Sequence, residues 1–321
     1  MKPTCVILGV CLAGAVSAGR VSAQEEEPPP PETIQEMQAE SPLEEADSAR
    51  PAAHDAQRSS SFTWYSMFTN VPGDWLSAGE AAFRPEGLPV MGGIALATGM
   101  LLLGDHASYA YSHGLYTRSS DVRFATNQML RAGDGKTTLG IAAAFALYGF
   151  VGDDSRALRT SSGTVEALLA SGIAVQLLKR IAGRESPQVV TQGNGKWRPF
   201  PPLSAYNKNQ PRYYAFPSGH ITTVMATVTV IAENYPDEKW IRPAGYGVVG
   251  LTAVSLVNKG WHWYSDFPLA IALGYTFGRL AAHHTDEESS PDAAVGPASA
   301  SIRVLPNVGP GGAGVMLALT F

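Results

Sequence analysis

The chain has 321 residues, 45% of them hydrophobic and only 16% charged, with 23 basic and 28 acidic side chains for a formal charge of −5. That length and apolar content suffice for a buried core in one large domain or two modest ones. The low charged fraction makes the apolar blocks candidates for membrane spans, and the acidic balance points away from nucleic acid as a partner.

In chain order, residues 1–23 read as a secretory signal. Lys2 is followed by an apolar run from Val6 to Ala18, and Val21-Ser22-Ala23 precedes Gln24 as a small-residue cleavage site. An uncleaved anchor is the alternative, and either one puts the following residues outside the cytoplasm. Cys5 and Cys11 both fall in this segment, so the mature chain is expected to carry no disulfide. Loss of Lys2 and Arg20 leaves 21 basic against 28 acidic groups, a balance of −7. Residues 24–62, with Glu25-Glu26-Glu27, a proline run from Pro28 to Pro31 and few large apolar groups, are expected to be a disordered acidic leader.

Six apolar blocks follow, at 87–104, 137–152, 164–178, 219–233, 243–258 and 266–281. They are rich in Ala, Leu, Gly and Met and lack two-residue alternation, so they predict buried helices rather than strands. The fold class expected is therefore all-α, a six-helix bundle over residues 63–285. The first block carries no charge over 18 residues, roughly 27 Å at ~1.5 Å per residue, and is nearly long enough to cross a bilayer. Central helices of a compact bundle are also apolar all round. In the tail, 286–321, Ser301 to Val308 and Val315 to Phe321 flank a Gly-Pro-Gly-Gly turn and predict a short β-hairpin. The terminal Phe321 resembles the end of an outer-membrane barrel strand, but one hairpin cannot close a barrel.

Three polar clusters sit at the ends of these helices. Lys179-Arg180-Ile181-Ala182-Gly183-Arg184-Glu185-Ser186-Pro187 closes the third block. Gly183 suits a left-handed cap and Pro187 stops the helix, which leaves Lys179 and Arg184 as two cations beside a turn, suited to phosphate oxygens. Basic residues there also favour the helix dipole without any ligand. Phe216-Pro217-Ser218-Gly219-His220 opens the fourth block, where Ser218 is a natural N-cap and, with Gly219, offers donors to an anion beside His220. The same residues are ordinary helix-start punctuation. Asn258-Lys259-Gly260-Trp261-His262-Trp263-Tyr264-Ser265-Asp266 links the last two blocks. If helical geometry holds there, Asp266 reaches the His262 imidazole from i+4 and fixes its tautomer. Such pairs are often purely structural.

In this order and at these helix ends, the clusters resemble the type 2 phosphatidic acid phosphatase and vanadium haloperoxidase superfamily over roughly residues 85–282. Its signature is Lys-x6-Arg-Pro, then Pro-Ser-Gly-His, then Ser-Arg-x5-His-x3-Asp. Pro217-Ser218-Gly219-His220 and His262-x3-Asp266 match in full. The signature arginines fall instead on Ser186 and Leu256, with Arg184 and Lys259 as nearby substitutes. Loss of one such cation costs on the order of 10² to 10³ in rate, by analogy with an oxyanion-hole donor.

The resemblance implies a phosphatase in which His262, oriented by Asp266, attacks phosphorus while His220 protonates the leaving oxygen, with Lys179, Arg184, Ser218 and Gly219 on the equatorial oxygens. It implies no metal and no cofactor. The alternatives are a vanadate-holding haloperoxidase and a non-catalytic phosphate-binding protein. The substrate expected is a lipid phosphate or a small phosphomonoester. If all six blocks spanned, the first cluster would fall on the cytoplasmic side, which favours a soluble or peripheral periplasmic bundle over an integral one.

Overall fold

The computed structural model describes residues 65–190, 193–287, 301–309 and 312–320. The expected signal segment and the whole of the expected acidic leader lie outside these residues. All six apolar blocks are helical, as α3 (Leu88–Arg118), α5 (Gly135–Gly152), α6 (Ser155–Ala182), α8 (Gly219–Asn234), α9 (Ile241–Lys259) and α10 (Phe267–Glu287). Among the described residues, four shorter α-helices complete the set: α1 (Ser66–Thr69), α2 (Val71–Phe83), α4 (Ser120–Ala132) and α7 (Leu203–Lys208). Three single 3-10 turns lie between them, at Pro187–Val189, Gln210–Arg212 and Tyr264–Asp266. In the tail, β1 (Ser301–Gly309) and β2 (Gly312–Thr320) pair antiparallel from Ser301↔Thr320 to Gly309↔Gly312.

Helix ends follow local chemistry. The carboxylates of Asp134 and Asp154 accept from Lys136 N and Ala157 N at the starts of α5 and α6, and Ser119 Oγ accepts from Val122 N at the start of α4. Gly183 ends α6 at φ 58°, and a Cβ there would lie 1.8 Å from Arg198 O, so both conformation and space require glycine.

The core lies around α8, which packs on α6, α9 and α10. Ile221, Val224, Met225, Ala226 and Val230 are buried along it. Its threonines bond to carbonyls: Thr222 Oγ1 donates to Ser218 O at 2.9 Å and, across to α10, to Ala270 O at 3.1 Å, and Thr229 Oγ1 donates to Met225 O at 2.8 Å. α10 approaches so closely that a Cβ on Gly274 would sit 2.5 Å from Thr222 O and 2.8 Å from Met225 Cβ.

The helix α3 has the opposite arrangement. Its buried residues are Asp105 and Ser112, whereas Leu96, Met100 and Leu103 are exposed, the last by 88%. Over 31 residues it is long and apolar enough to cross a membrane, and only 6% of its most apolar window is buried. α5 and α9 also turn apolar side chains outward, among them Leu147, Phe150, Val151, Leu251 and Val254. The hydrophobicity of α8 thus reflects a protein core, and that of α3 does not.

The α8–α10 contact predicts that Gly274→Val destabilises the fold by about 1–3 kcal/mol through overpacking. Chemical or thermal unfolding measures this, and an unchanged midpoint would mean that the helices do not pack this closely.

Candidate active site

The three clusters converge. Lys179 is in the last turn of α6, Ser218 caps α8, and His262 precedes the Tyr264–Asp266 turn that leads into α10. A backbone bond from Ser218 N–H to Asp266 O at 3.2 Å ties the second cluster to the third. The segment Tyr214–Ala215 ties in the first, because Lys179 Nζ donates to Tyr214 O at 2.8 Å while His262 Nδ1 donates to Ala215 O at 2.7 Å. Two adjacent carbonyls therefore hold the ammonium and the imidazole side by side.

The second of those bonds fixes the proton on His262. A carbonyl oxygen can only accept, so Nδ1 carries the hydrogen and Nε2 keeps its lone pair. Asp266 Oδ2 is a second acceptor at 3.3 Å from Nδ1 and also takes Trp263 N–H at 2.8 Å. The helical i, i+4 geometry considered for this pair is absent. His262 lies outside any helix, and the 3-10 turn after it brings Asp266 back to the ring.

The His220 ring, in the first turn of α8, lies 6.4 Å from that of His262 centroid to centroid, in an edge-to-face arrangement, and 5.6 Å from the Trp261 ring. A Cβ on Gly219 would lie 3.9 Å from Lys179 Cε and 4.0 Å from its Nζ, so the ammonium sits beside the helix N-terminus. Ser218 Oγ accepts from Ile221 N at 3.5 Å, which makes it a loose cap. A buried lysine, two imidazoles and the positive end of a 16-residue helix thus surround one spot, a combination suited to an oxyanion.

Charge is finely set there. Burial pulls Lys179 down to about 8, against a restoring pull from Asp266. Burial, then His262 and Lys179, pull His220 down to about 4, with Asp134 opposing. Burial also draws His262 below the ordinary imidazole value, opposed first by its bond to Asp266. Both rings are therefore neutral near pH 7 until an anion enters.

Arg184 departs from expectation. Its guanidinium is fully buried, and both Nη groups are taken: Nη1 donates to Ser265 Oγ at 2.7 Å and Asp266 Oδ1 at 2.5 Å, Nη2 to Asp105 Oδ2 at 2.7 Å and Asn194 O at 3.0 Å. Only Nε lacks a partner among the described residues. Expected as a grip on phosphate, Arg184 instead clamps Asp266 from behind. Lys259 also departs, since its Nζ donates to Tyr116 Oη at 3.0 Å on α3. Ser186 and Leu256, at the signature's arginine positions, are fully buried, and Leu256 packs with Ile221, Val257 and Phe267.

Asp105 did not emerge from sequence reasoning. It binds Arg184, accepts Ser265 N–H at 3.2 Å on Oδ1 and takes the Ser265 hydroxyl on Oδ2. The available signal was a lone carboxylate directly after the uncharged block 87–104. Asn194 and the Trp263 indole, whose Nε1 donates to Glu185 O at 2.8 Å, carried no comparable signal.

The family model described as PAP2 superfamily matches residues 163–289. No curated protein matches the chain. Among solved structures, the chain is similar to a transmembrane PAP2 type phosphatidylglycerolphosphate phosphatase from Bacillus subtilis, at 14% identity and TM-score 0.37, over 69% of this chain and 94% of that one.

Removing the clamp leaves two carboxylates buried without a counter-charge. Arg184→Met is expected to cost about 3–5 kcal/mol of stability. Arg184→Lys recovers little of it, because one ammonium cannot reproduce the forked contacts to Asp105 and Asp266. Chemical denaturation of both variants checks this, and a wild-type midpoint in either would show that the triad is not a structural clamp.

Proposed function

We propose that this chain, whose residues 163–289 match the PAP2 superfamily model, is a phosphatase hydrolysing a phosphomonoester through a phosphohistidine on His262. The observation that carries this reading is the tautomer of His262. With Nδ1–H held by Ala215 O and Asp266, the lone pair on Nε2 is the nucleophile available beside Lys179 and His220. Attack forms the N–P bond as the ester oxygen leaves, and His220 delivers the proton that this oxygen needs. Water, deprotonated by the then neutral His220, cleaves the N–P bond and releases phosphate.

Lys179 and the first backbone N–H groups of α8 hold the equatorial oxygens throughout. Arg184 acts at one remove, holding Asp266 aimed at His262. His220 is neutral in the free site, so its acid role requires the incoming phosphate to raise its proton affinity, and binding and protonation are coupled.

The substrate class that suits this site is a lipid phosphate monoester. α3 supplies Asp105 to the buried triad and turns Leu96, Met100 and Leu103 outward, so the catalytic cluster is braced by a helix whose other faces suit a bilayer. We therefore place the chain at a membrane, in preference to the soluble bundle that topology counting favoured. Export rests on the sequence of residues 1–23.

Two measurements test this. Phosphate release from phosphatidic acid in mixed micelles and from p-nitrophenyl phosphate is compared for wild type, His262→Ala and His220→Gln. Wild type is expected to favour the micellar lipid, His262→Ala to fall to background and His220→Gln to lose about 10² to 10⁴-fold. Full activity in His262→Ala rules out the phosphohistidine, and activity confined to the soluble ester rules out the lipid reading.

The second is the pH dependence of inhibition by vanadate. Lys179 is charged below about 8 and neutral above it, so affinity is present below that value and is lost as pH rises through it. Lys179→Arg, whose charge does not titrate in this range, moves that limb upward. The same limb in both proteins assigns it elsewhere.

A further inference from the structure

At a distance from the phosphate site, three helices bring together Asp74 (α2), Glu166 (α6) and His284 (α10). Glu166 is thirteen residues before Lys179 on α6, about 20 Å along the helix at ~1.5 Å per residue, so the two clusters are separate. Both carboxylates are fully buried, while the His284 side chain is 30% exposed. One ligand atom from each residue lies within 4.8 Å of the other two. His284 Nδ1 is 2.8 Å from Glu166 Oε1 and 3.5 Å from Asp74 Oδ1. Asn70 Nδ2 donates to Glu166 Oε2 at 3.3 Å and orients it. Neither oxygen of Asp74 accepts a hydrogen bond among the described residues, although both are shielded from solvent.

We propose that Asp74, Glu166 and His284 form a binding site for a divalent transition-metal ion of the zinc class, which fastens α2 to α6 and α10. Ligand atoms at ~2.0–2.1 Å from a tetrahedral ion are about 3.3 Å apart, so the observed separations need only small side-chain adjustments. The donor set of two carboxylates and one imidazole suits zinc or manganese better than calcium or magnesium, which favour oxygen alone. Charge points the same way. Two buried carboxylates and a protonated His284 leave a net negative charge out of water, whereas a dication with neutral His284 leaves none. Asn70 is then the outer partner that orients a ligand. Such an ion complements the Trp75 Nε1–H bond to Ala170 O, at 3.0 Å, as a second tie between α2 and α6.

The test uses the full chain, purified in detergent, stripped by chelator and titrated with zinc chloride alone. Bound zinc per chain after gel filtration and the midpoint of thermal unfolding are read. Wild type is expected to hold one more zinc than His284→Gln and Asp74→Asn, and to unfold at a higher temperature when loaded. Asn70→Ala is expected to bind that zinc about 10 to 100-fold more weakly. His284 is partly exposed, so His284→Gln remains informative if Asp74→Asn fails to fold. Equal zinc content and affinity in wild type and His284→Gln overturn the site. So does the absence of saturable binding to wild type, which would leave the cluster as an ion pair sharing a proton.

Discussion

A single guanidinium between two carboxylates organises this molecule. Arg184 is wholly buried, with Asp105 on one side and Asp266 on the other, and such a group is tolerated only when its donors are nearly all met. The loop after α6 therefore cannot shift without parting from α3 and from the turn that leads into α10. The chain of consequence then runs outward: Arg184 fixes Asp266, Asp266 and Ala215 fix the His262 tautomer, and the tautomer leaves Nε2 unprotonated. Asp105 and Asp266 against Arg184 and Lys179 also make the site electrically balanced before any ligand arrives. His220, drawn down to about 4 by burial and by its neighbours His262 and Lys179, adds no charge to that balance near pH 7.

The helix ends that the three polar clusters occupy were largely legible in the sequence, because they lie in short segments with local consequences. Gly183 as a left-handed cap, Ser218 as an N-cap and the six apolar blocks as helices all follow from neighbours within a few residues. Partnership across the chain was not legible. Arg184 has the composition of a phosphate ligand, and nothing in its local sequence says that Asp105, 79 residues earlier, will take it instead. Lys259 likewise meets Tyr116 across 143 residues. The i, i+4 spacing of His262 and Asp266 suggested a helix, and the contact formed without one because a 3-10 turn closes a similar distance.

Hydrophobic blocks posed a different difficulty, since composition alone does not say which side of a helix is apolar or what it meets. α8 and α3 are similarly apolar, yet α8 buries its large side chains against α6, α9 and α10 while α3 exposes them. The distinguishing mark is the rare polar residue. In α8 the threonines bond to carbonyls one turn back, and so place no demand on neighbouring side chains. In α3 the buried polar groups reach other elements.

Those groups form a stripe. Asp105, Tyr109, Ser112 and Tyr116 are spaced by four, three and four residues, which puts them on one face of α3. Each meets the segment that carries His262 or the helix leading to it. Asp105 holds Ser265, and the Tyr109 ring meets Trp263 edge-on at 5.7 Å. Ser112 shares a 3.4 Å bond with the Tyr264 hydroxyl, and Tyr116 takes the Lys259 ammonium. His113, one residue off the stripe, donates to Asn258 O at 2.9 Å. A turn of α3 about its axis would break all these contacts at once and bring leucines against polar groups. The rotational setting that presents apolar side chains outward is therefore the same setting that braces the segment carrying His262, and one helix couples the outward apolar face to the geometry around that imidazole.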